Sequence, residues 1–138
     1  MAVVPGVVAT LAVYTGGKVV TPPTYESVCY GDGHSEAVRV TYDEDALSDA
    51  ELMDVFFRAH EPRWPVRRKA RSCIWYQDER QRAAAEAALA AREVELRKRV
   101  PTVIEPLGDW YEAEEWQQQY LAKLEAERPT NRKDPALA

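Results

Sequence analysis

A phenol, an imidazole and a carboxyl, those of Tyr25, His34 and Glu36, lie close together in one turn-rich stretch, YTGGKVVTPPTYESVCYGDGHSEAVRVTY, from Tyr14 to Tyr42. Such groups can pass a proton to or from a reacting atom when the chain holds them in reach of it. Gly16-Gly17 permit positive φ, and Pro22-Pro23 stiffen the approach to Thr24-Tyr25. Gly31-Asp32-Gly33 then deliver His34 and Glu36 to the mouth of the next strand. The expectation is that Tyr25 and Glu36 converge from two walls of a loop. His34 either joins them or serves as a turn residue that bonds the backbone. Cys29 and Cys73 are the two thiols. Cys73 reads as a buried, inert thiol in the middle of a strand, and a thiol attacks only as its thiolate.

The elements that must position these groups alternate strand and helix. Val7, Ala9, Leu11 and Val13 precede the loop as one strand, and residues 37–42 follow it as another. Ser48-Asp49-Ala50-Glu51 is a capping-box pattern opening a helix whose core face carries Leu52, Val55, Phe56 and Ala59, with Pro62 ending it just past His60. Arg71–Tyr76 reads as a central strand, apolar on both faces. Asp78 caps a long alanine-rich helix expected to pack through Ala85, Leu89, the Arg92 stem and Leu96. Val100–Pro106, with proline near each end, suits an edge strand. Ala113 to about Glu127 is a last helix, with Trp116, Tyr120 and Leu124 along one face, and the polar tail after it reads as disordered.

At 138 residues the chain is one domain by length. A net charge of -5 argues against nucleic acid as the main partner. The basic run Arg63, Arg67, Arg68, Lys69 and Arg71 is expected on a solvated or partner-facing loop. Two cysteines cannot build a disulfide framework and fit a reducing compartment, cytoplasm or organelle interior. No stretch reads as a transmembrane segment, and nothing in the pattern calls for a metal or a cofactor.

YTGG, then P-T-Y-x-x-V-C, then G-H-x-E-A-V resembles the peptide methionine sulfoxide reductase A family. The resemblance continues in S-D-A-E-L-M-D-V-F-F-R-A-H-E-P, in R-S-C-I-W-Y and in W-Y-x-A-E-x-W-x-Q-Q-Y-L, spanning roughly residues 3 to 124. It implies an α/β (α+β) fold, a ferredoxin-like two-layer mixed sheet with flanking helices. The domain would be residues 1–127, followed by a tail of residues 128–138.

The resemblance also implies a chemistry. Glu36 matches the acid that protonates the departing sulfoxide oxygen, a task for a carboxyl whose pKa burial has raised. Tyr25 matches a hydrogen-bonding tyrosine, and His34 lies in the same substrate-facing motif. The family's nucleophile stands in Gly-Cys-Phe-Trp, on a first strand that has no counterpart among these 138 residues; most of the helix that follows is also unmatched. In the loop around residues 61–70 the family's aspartate is replaced and Ala70 stands in place of a tyrosine, while Gln117 stands where a histidine is usual. The expectation is therefore a catalytically inactive relative acting as a structural or accessory subunit, with protein partners and possibly a donated strand. The alternative is an active reductase of peptide methionine sulfoxide whose nucleophile lies outside the sequence.

Overall fold

The computed structural model describes residues 4–17, 22–59 and 71–120. β1 (Val7–Thr15), rich in β-branched residues, lies at the middle of a three-stranded antiparallel sheet. On one side it pairs with β2 (Ser35–Tyr42) and on the other with β5 (Trp110–Glu112). The β1–β2 register sets Ala12 opposite Val38 and Tyr14 opposite Glu36, with an irregularity between Val7 and Ala9. Further along the chain, β3 (Cys73–Tyr76) and β4 (Val103–Pro106) form a separate parallel pair. The result is the mixed α/β architecture expected, with strands grouped into two sheets among the described residues.

Two long helices join the sheets. The capping box that opens α2 (Asp49–Ala59) is present: Glu51 N–H donates to Ser48 Oγ at 3.1 Å, and Ser48 N–H donates to Glu51 Oε1 at 3.1 Å. α2 serves both sheets, because Leu52 and Val55 meet Val38 and Val40 of β2 while Met53 and Phe56 meet Ile74 of β3. α3 (Glu79–Leu96) is capped by Asp78, whose carboxylate accepts from Gln81 N–H at 2.9 Å, and lays Ala85 and Leu89 on that second cluster. It stops at Arg97, which takes a left-handed conformation with φ 56° and ψ 38°.

Several expectations need correction. Leu96 is exposed, because α3 ends one turn beyond its packed face. Arg71 belongs to no solvated loop: it is buried, paired with Glu105 Oε1 at 2.7 Å and stacked on Trp75. β3 is an end strand rather than a central one among the described residues. The loop between β1 and β2 contains a short helix, α1 (Tyr25–Cys29), closed by Thr24 and Ser27 acting on each other's backbone. β5 was unsignalled, since three residues are too few for a period-2 pattern. The rest of the basic run, the end of the last helix and the tail fall outside the described residues.

Candidate functional site

The site is assembled around Tyr14. Its hydroxyl donates to Glu114 Oε1 at 2.6 Å, and the Gln117 side chain also bonds it. Glu114 Oε2 accepts from Tyr25 N–H at 2.8 Å, so one carboxylate ties β1 to the first turn of α1. Burial, and then the donation to Glu114, push the Tyr14 hydroxyl far above the ordinary phenol range. Burial would raise Glu114, but hydrogen bonds from Tyr14 and from Tyr25 N–H outweigh it and hold the carboxyl below its usual value. The pair therefore stays as a neutral phenol against a carboxylate at neutral pH.

Tyr25 opens α1, and its ring stands edge-on to Trp116 at 4.8 Å between centroids. Its apolar part packs on a cluster of Tyr14, Val28 and Ala113. Glu36 lies on β2 directly across from Tyr14, which puts both side chains on one face of the sheet. Its negative charge contributes, as the smallest cause, to the raised pKa of Tyr14. Tyr25 and Glu36 each have Tyr14 as a neighbour.

His34 is only 2% exposed. Its N–H donates to Asp32 Oδ1 at 2.8 Å, its Nδ1 lies 3.1 Å from the same oxygen, and its ring stands edge-on to Tyr111. Asp32 also accepts from Ser27 Oγ at 2.7 Å. Desolvation raises the Asp32 carboxyl, yet the bonds from Ser27 and His34 more than offset this and its pKa falls. The Gly-Asp-Gly turn is therefore a wired unit: Asp32 joins α1 to the entrance of β2 and so aims Glu36.

The YTGG glycines have specific reasons. A Cβ on Gly17 would stand 2.6 Å from His34 Cγ, well inside any real contact. One on Gly16, at φ +84°, would meet Arg71 Nη2 at 2.7 Å and the Trp75 ring at 3.0 Å. These contacts bring the loop to within touching distance of β3.

Cys73 is buried, with Sγ 3.7 Å from Glu105 Oε1, on the side of β3 that faces away from Ile74 and the helices. Glu36 has the parity of Val38 and Val40, which turn toward α2. Cys29 is a half-buried thiol, outside any disulfide, at the end of α1. Among the described residues no cluster of three or more His, Cys, Asp or Glu could hold a metal ion, and no helix is long and apolar enough to cross a membrane.

Sequence reasoning missed Glu114, Tyr14 and Gln118. Gln118 acts on β1 as a piece of strand would: its Oε1 accepts from Ala12 N–H, and its Nε2 donates to Ala12 O, all at 2.8 Å. All three lie inside motifs already singled out, but only the fold reveals which polar side chains of A-E-x-W-x-Q-Q turn inward.

The family model described as peptide methionine sulfoxide reductase matches residues 1–136. Peptide methionine sulfoxide reductase MsrA of Methanothermobacter thermautotrophicus is 45% identical over 129 residues, covering 87% of this chain and 76% of that protein. The Vibrio parahaemolyticus MsrA is 44% identical over 130 residues, covering 86% of this chain and 60% of its own length. Among solved structures, methionine sulfoxide reductase A of Corynebacterium diphtheriae superposes with a TM-score of 0.70 at 30% identity, covering 92% of this chain and 68% of that one. Reduced Mxr1 of Saccharomyces cerevisiae shares the fold with a TM-score of 0.77 at 24% identity, covering 96% and 78%. With residues 1–136 of its 138 matched by the family model, this chain belongs to the peptide methionine sulfoxide reductase family.

Proposed function

We propose that the chain is a catalytically inactive member of this family that serves as a structural or accessory subunit of a larger assembly. Reducing a sulfoxide takes a thiolate to attack sulfur and an acid to protonate the departing oxygen. In this reading Glu36 would be the acid of the second part, and Tyr14 lies opposite it on β1. The observation that carries the reading is the placement of Cys73, the buried thiol, on the opposite side of its strand from the face that Glu36 shares with α2. Cys29, the other thiol, ends a five-residue helix. The changed chemistry of residues 61–70, with Ala70 at a tyrosine position of the family, supports the same conclusion.

A second reading is favoured by the intact delivery of Glu36 and by the extra length of the relatives, of which this chain covers 76% and 60%. In it the chain is part of an active peptide-methionine (S)-S-oxide reductase whose nucleophile lies on residues outside this sequence. The test is turnover of a methionine sulfoxide peptide by the 138-residue chain with dithiothreitol as reductant. The expected result is no turnover above a Cys29→Ser, Cys73→Ser control, and turnover above that control overturns the proposal. Restoration of activity by a longer form of the same polypeptide would establish the second reading.

A further inference from the structure

We draw no further inference here: the strongest candidate, the exposed aromatic surface of Trp116, which stands against Tyr25, and of Tyr120 one helical turn on, belongs to the site already described, and nothing in the structure shows what covers it.

Discussion

The two margins of the three-stranded sheet are finished in opposite ways. On the β5 side, strand pairing covers Val13 to Thr15, and beyond it the Gln118 amide takes over at Ala12, with Ala113 N–H donating to the same carbonyl at 3.0 Å. The adjoining corner is closed by Glu114, which accepts from both Tyr14 and Tyr25. On the β2 side, apolar side chains line a cavity, and no described strand pairs with the outer edge. The difference teaches where this fold holds itself together and where it leaves room. The candidate acid Glu36 sits on β2, opposite Tyr14 and on the strand whose far edge pairs with no described strand.

The strongest way to break the closed corner is Glu114→Ala, which strands a buried hydroxyl and a helix-opening N–H. It should cost about 2–4 kcal/mol in denaturant unfolding. Because the folded Glu114 carboxyl lies below its ordinary value of 4.5, the stability it provides is complete above that pH and is withdrawn as pH falls through the lower folded value. Glu114→Gln should therefore flatten the acid limb of a stability-against-pH curve. Next in size, Gly17→Ala drives a methyl into the His34 ring and should cost about 1–3 kcal/mol, with the largest amide shifts in residues 32–36 on NMR.

The far end of β2 offers a smaller handle. Burial, then donation to Asp49, pushes the Tyr42 hydroxyl up to about 12, from an ordinary 10.0. The folded chain holds that proton more tightly than the unfolded one, so this contribution is whole below pH 10 and is lost between 10 and about 12. Thermal unfolding across that window should fall less steeply in Tyr42→Phe. Smallest of all, Thr41→Ala on the exposed face of β2 should change stability by no more than about 0.5 kcal/mol, and a larger loss would mean that this margin is not open.

What could be read from the residues divides along the same line. The α2 capping box and the Asp78 cap were legible because they are contained within four consecutive residues, and each appears as an expected hydrogen bond. Tyr25 and Glu36 were legible as site candidates because glycines and prolines around them mark turns. Tyr14 and Glu114 are separated by 100 residues, and nothing local says that a strand tyrosine donates to a carboxylate at the head of a distant helix. Arg71 was misread for the same reason. It closes a basic run, yet its partners Ser35 and Glu105 come from elsewhere in the chain and draw it inside.

Closing a sheet margin with a side-chain amide also gives it a chemical lifetime. Gln118 Nε2 donates to two carbonyls, Ala12 O at 2.8 Å and Ala113 O at 3.0 Å. Hydrolytic deamidation would replace that nitrogen with a carboxylate oxygen, turning two donations into contacts between like partial charges beside a new full negative charge. A backbone strand at the same place would carry no such clock. Deamidation at this position would therefore loosen β1 at Ala12, and Gln118→Glu would present that state from the outset.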